Sequence, residues 1–232
     1  MDKLGHIWTS YQVSRGSAEI WKWTGIPENK SIILGGVSGI GYLTVIEILD
    51  GYSGQWGFSW GDMLANTLGS ASFVSQQLAW KEQRLSVKFS YWPYDYLPSQ
   101  RERRNQMFGN SLRERILKDY NSQTYWISAN IKSFFPQSKI PGWLNISVGY
   151  GADGMLGGRN NIWIDNSGSI HNQTNLPRVR HFYLAPDVDL TRIKTNHKFL
   201  RKVFFLINTI KFPAPALTIS SEGKAGVRAI AF

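Results

Sequence analysis

The hydrophobic period of this chain changes once, at Gln83, and that change limits what it can fold into. Before it, apolar residues recur every three or four positions, as on one face of a helix; after it they alternate, as in a strand. From Asp2 to Val13, residues Leu4, Ile7, Trp8 and Tyr11 share a helical face. Ser17 or Ala18 to Thr24 reads as a second short helix, stopped by Gly25 and Pro27. The run beginning at Asn29 or Ser31 and ending at Leu49 is apolar and close to bilayer length, with Glu47 as the only charge from Ser31 onward. Its Gly35–Gly39 spacing lets another helix approach closely. A Gly-rich loop from Gly51 to Gly57 follows. Ser59 to Ala79 then reads as a further helix, with Ser59 or Ser53 as cap and Asp62 complementing the dipole.

Beyond Gln83, Leu85, Val87, Phe89 and Tyr91 alternate with Ser86, Lys88 and Ser90. Gln123 to Phe134 repeats the pattern, and Leu144, Ile146, Val148 and Tyr150 stand against Asn145, Ser147, Gly149 and Gly151. Further strands are expected at Arg178–Leu190, Ala216–Ser220 and Gly226–Phe232. One face of each is bulky and apolar, the other small and polar. A barrel wall between lipid and a crowded interior has this alternation, and so does a half-buried strand of a soluble sandwich. Thr195 to Ile210 reads as a basic amphipathic helix, suited either to an anionic membrane surface or to covering one end of the sheet. Residues 93–122 and 156–177 read as long loops. The fold class expected is α+β: an N-terminal helical bundle over residues 1–80, then an antiparallel β-sheet or small outer-membrane-type β-barrel over 81–232 with one amphipathic helix. Only about six strands are legible, fewer than the eight of the smallest bacterial barrels.

Charge narrows the partners. Lys and Arg number 26 against 16 Asp and Glu, a net charge of +10 that favours anionic partners. The basic residues are scattered and form no nucleic-acid-binding motif, so membrane lipid or lipopolysaccharide is expected and nucleic acid is not. Ten Trp and ten Tyr suit a water–lipid boundary. The absence of Cys excludes disulfides and thiolate metal sites. The glycines from Gly35 to Gly41 lack the Lys-Ser/Thr of a phosphate-binding loop, and no cofactor is expected. His171, His181 and His197 lack metal-ligand spacing. Asp187 and Asp189 read as a solvated face or a loop-end calcium site.

The polar residues of the helical unit are not random. Asp2 and His6 are four apart, as are Asp62 and Asn66, while Glu47 and Asp50 are three apart. Charges on apolar helices are costly unless they meet partners. An interior cluster of Asp2, His6, Glu47, Asp50, Asp62 and Asn66 is therefore expected. Such a cluster is either a satisfied polar network that fixes helix packing, an acid–base site built on His6, or a carboxylate site for a divalent cation.

The segments Asp2-Lys3-Leu4-Gly5-His6, Glu47-Ile48-Leu49-Asp50-Gly51 and Gly57–Asn66 with Gly69 resemble the YfiM-like family of uncharacterised envelope lipoproteins. More distantly they are similar to the VanZ-like membrane proteins. Lys88–Tyr91, Asp119–Trp126, Val148–Met155 and Asp187–Lys194 resemble the longer Bacteroidota version of that family. The resemblance implies an envelope location, at the outer membrane or its periplasmic face. It implies location and architecture but no reaction. The function expected for the chain is a structural or assembly-supporting role through lipid and protein contacts, within an envelope protein complex; the alternative is a membrane-embedded enzyme acting on a lipid or glycolipid with His6 and nearby carboxylates. The resemblance carries over no catalytic residue. Family members usually bear an export signal upstream, so the native chain is expected to start before Met1. Phe232, closing an alternating segment, resembles the terminal aromatic signal of outer-membrane barrels.

Overall fold

A computed structural model describes residues 1–53, 57–158, 160–165 and 167–231. Three long helices open the chain: α1 (Asp2–Trp23), α2 (Glu28–Gly51) and α3 (Trp60–Trp80). The expected break between two short helices near Gly16 is absent, and α1 runs through it. Gly inside a helix costs about 1 kcal/mol. Burial of Tyr11, Ser14 and Ala18 on either side offsets it. Ser59 is the cap of α3, its hydroxyl accepting from the Asp62 amide.

The helices pack through small and polar residues. Gly35 lies against Ala18 and Ser14, Gly39 against Ser14 and Ser70, and Gly69 against Ser10 and the Ile7 carbonyl, each too close for a Cβ. Ser14 donates to Ser70 at 2.8 Å in the same seam. Tyr11, Ile32, Leu43 and Phe73 are buried between the helices, while Ile33, Val37, Val45, Ile48 and Leu49 of α2 and Leu64 and Leu68 of α3 are exposed. Small residues in such seams let helix backbones approach closely, in lipid or in water.

The sheet begins with β1 (Leu85–Tyr91). Residues 93–122, expected as a loop, hold α4 (Arg101–Phe108) and α5 (Leu112–Lys118). Tyr96 and Phe108 form a core with Leu156 that anchors α4, while α5 buries no residue and starts at a Ser111–Glu114 capping box. Next come β2 (Gln123–Asn130), the one-turn α6 (Ile131–Phe134) and β3 (Leu144–Asp153). The expected strand to Phe134 stops at Asn130 because that side chain accepts from the Ser133 amide and caps the turn. The second long loop contains a hairpin of β4 (Ile162–Ile164) and β5 (Ile170–Asn172). The chain closes with β6 (Val179–Val188), α7 (Lys198–Ile207), β7 (Ala214–Ser220) and β8 (Ala225–Ala231). Phe232 lies outside the described residues.

The strand ladders are antiparallel, in the order β1-β2-β3-β6-β7-β8, with β4-β5 separate. The sheet curls without closing. Phe89 of β1 bonds Thr209 and Lys211 at 3.1 and 2.9 Å, just before the chain enters β7. Among the described residues no ladder joins β1 to β8, so the barrel alternative is corrected to an open, curled sheet.

The sidedness of this sheet is reversed from that of a soluble protein. Aligned across it on the outer face are Ile127, Val148, Leu184, Leu217 and Val227. They are between 43% and 73% exposed. The inner face carries Lys88, Trp126, Ser128, Asn145, Ser147, Tyr183 and Asp187, all buried. Gly149 has no side chain because the Trp126 ring fills that space. Among the described residues, buried polar side chains outnumber buried apolar ones.

α1 covers only the β1–β2 end of the apolar face. Trp8 packs on Phe89 with ring centroids 5.1 Å apart, and Gln12 donates to the Val87 carbonyl at 2.7 Å. Glu82, in the turn between α3 and β1, bonds Arg192 and Arg84 at 3.0 Å each. Burial pushes its carboxyl up, but these guanidinium groups hold it below the usual glutamate range.

Candidate functional site

The inner faces of α1, α2 and α3 meet around His6. Asp2 and His6 lie one turn apart on α1, Asp62 and Asn66 one turn apart on α3, and Glu47 enters from α2. His6 Nδ1 is 3.0 Å from Asn66 Oδ1. Its Nε2 faces Glu47 Oε1 at 3.6 Å, Asp62 Oδ1 at 3.6 Å and Asp2 Oδ1 at 3.9 Å. Glu47 is sealed at 2% side-chain exposure and also accepts from the Ser59 amide. Tyr120, from the segment after α5, donates to Asp2 at 3.1 Å.

Five of the six residues expected from the sequence therefore converge. Asp50 does not join the ring: it sits one turn past Glu47, where its carbonyl accepts from Ser53 and Gly57. Two members escaped the sequence reading as partners. Lys3 bonds Asp62 and reaches Asp2 at 3.1 Å and Ser59 at 3.2 Å. Lys3 stands three before His6, on one side of α1, but that spacing does not show its bonds across to Asp62 and Ser59. Tyr120 is 118 positions from its partner Asp2, and no local pattern could link them.

A cavity of about 250 Å³ reaches this ring from the side of the sheet. Asp2, His6 and Tyr120 form its polar end; Leu43, Ile46 and Phe89 are among its apolar walls. With Nδ1–H donating to Asn66, Nε2 faces three carboxylates. The arrangement can hold a proton or a cation.

A second buried cluster lies inside the sheet. Lys88 Nζ pairs with Asp187 at 2.8 Å, and Lys211 Nζ approaches the same carboxylate at 3.9 Å. Ser128 donates to Asp187 at 2.6 Å, and Lys211 also lies 4.9 Å above the Trp126 ring. Asp187 was expected on a solvated face or at a calcium site; it is instead sealed, because its register on β6 places it on the inner face beside Asn145. Asp189 caps the short turn Leu190–Arg192 and pairs with Arg192 at 3.2 Å.

Residues 1–76 match the model of a family described as predicted periplasmic lipoprotein (DUF2279). That match spans the helical part of the chain and supports an uncharacterised family of envelope lipoproteins, on the periplasmic or envelope side of the cell. No curated protein and no solved structure matches the chain.

Proposed function

We propose that the chain is an integral outer-membrane component that supports the envelope through contacts with lipid and neighbouring proteins. The observation that carries this reading is the reversed sidedness of the sheet and helices, with polar residues enclosed and apolar ladders turned outward. In water each such Val, Leu or Ile forgoes about 1.5–3 kcal/mol of burial, and hydrocarbon removes that cost. α2 fits the same surroundings: its 24 residues reach about 36 Å against a hydrocarbon core of about 30 Å. The net charge of +10 suits the phosphates of phospholipid or lipopolysaccharide. The YfiM-like and distant VanZ-like resemblance of the sequence belongs to this reading.

Fractionation tests it. The intact protein is expected to stay in the outer-membrane pellet through urea and alkaline carbonate washes and to leave it only with detergent. Release by urea, or recovery from the soluble periplasm, contradicts the reading.

A second reading, an enzyme acting on a lipid or glycolipid with His6 as acid or base, draws on the cavity that joins an apolar wall to His6 and Asp2. It requires that the purified chain alter envelope lipids by mass spectrometry and that His6→Ala abolish the change.

A further inference from the structure

We infer that His6, Asp2 and Asp62 form a binding site for one divalent transition-metal ion, with Glu47 beside it. This goes beyond the structural role proposed above and does not depend on it.

Distance makes the first argument. Hydrogen bonds between an imidazole and a carboxylate run at about 2.7–3.2 Å. The three carboxylate oxygens stand 3.6, 3.6 and 3.9 Å from Nε2, beyond that range. A proton on Nε2 therefore bridges to none of them. Two ligands each about 2.1 Å from a shared ion lie about 3.0–3.5 Å apart at octahedral or tetrahedral angles, close to the spacing seen. Ligand atoms of Asp2, His6 and Asp62 all lie within 4.8 Å of one another.

Asn66 supplies the second argument. Its Oδ1 takes the Nδ1–H of His6, which orients the ring and leaves Nε2 free as a ligand, as the outer partners of metal-bound histidines do. Asn66 is wholly buried, and its Nδ2 has no hydrogen-bond partner among the described residues. An orphaned buried donor is costly.

Charge supplies the third. Asp2, Asp62 and Glu47 set three carboxylates beside the imidazole, an electronegative pocket suited to a cation. Lys3 touches Asp2, Asp62 and Ser59 and competes for the same oxygens. One imidazole with carboxylates suits zinc, iron or manganese over calcium or magnesium.

The test uses the full chain in detergent, stripped with chelator and titrated with Zn²⁺. Calorimetry is expected to give one ion per chain. X-ray absorption is expected to show one imidazole nitrogen and two or three oxygens at about 2.0–2.2 Å. His6→Ala and Asp62→Asn should each weaken binding at least tenfold, and Lys3→Gln should tighten it. Absent stoichiometric binding, binding unchanged in His6→Ala, or a zinc spectrum with no imidazole overturns the assignment. The wild-type spectrum and Lys3→Gln decide the matter even where His6→Ala fails to fold.

Discussion

Replacing Asp187 with Ala is expected to leave no folded protein. The carboxylate is the sole acidic partner within 4 Å of both Lys88 and Lys211 among the described residues, and all three side chains are sealed inside the sheet. Removing one member of a buried pair costs about 3–5 kcal/mol, because the other charge stays behind in a dry interior. Here two ammonium groups stay behind. The change also strips acceptors from the Ser128 hydroxyl at 2.6 Å and the Phe212 amide at 3.0 Å. Whole domains are stable by only about 5–15 kcal/mol. Asp187→Asn separates the two losses, since an amide oxygen can still accept a hydrogen bond but cannot balance the charges. Thermal unfolding followed by circular dichroism in detergent should rank wild type above Asp187→Asn and place Asp187→Ala without a cooperative transition. Near-wild-type melting of Asp187→Ala would mean that the lysines find water or other partners.

Val148→Arg is expected to have a large effect whose sign depends on what the outer face touches. Val148 is centred in the apolar ladder between Ile127 and Leu184 and is 58% exposed. Against water, an arginine there is close to neutral for stability and improves solubility. Against hydrocarbon it costs about 2–4 kcal/mol at the midplane of a β-wall. The expected outcome is loss of the membrane-assembled form, with the protein recovered as aggregate or degraded. The same substitution at Leu217, one strand beyond Leu184, should do likewise. Normal assembly of both variants would place the ladder in water.

The helical unit and six strands were legible because their information is local. Leu144, Ile146 and Val148 alternate with Asn145, Ser147 and Gly149 whatever surrounds them. Which face turns inward was not legible, because a sandwich and a lipid-facing wall share that alternation. Contacts decide it: Trp126 occupies the space above Gly149, and Lys88 reaches Asp187 across 99 positions. Neither follows from spacing. The His6 ring was legible through its one-turn spacings on α1 and α3, whereas excluding Asp50 needed the actual path of the chain after α2. Helix α4 was hidden because its Phe108 packs on Leu156, far along the chain. Gly16 suggested a break in α1 because local propensity takes no account of the seam against α2 and α3.

The central claim is that the apolar face of the sheet meets lipid while its polar face is enclosed. The chain has no cysteine, so single sites can be labelled without background. Val148→Cys and Ser147→Cys, each carrying a nitroxide in vesicles of outer-membrane lipid, give the most direct measurement. The account predicts a label at 148 that collides with oxygen and is shielded from a water-soluble nickel chelate, beside a site at 147 that resists labelling in the folded protein. A label at 148 relaxed freely by the nickel chelate would contradict it.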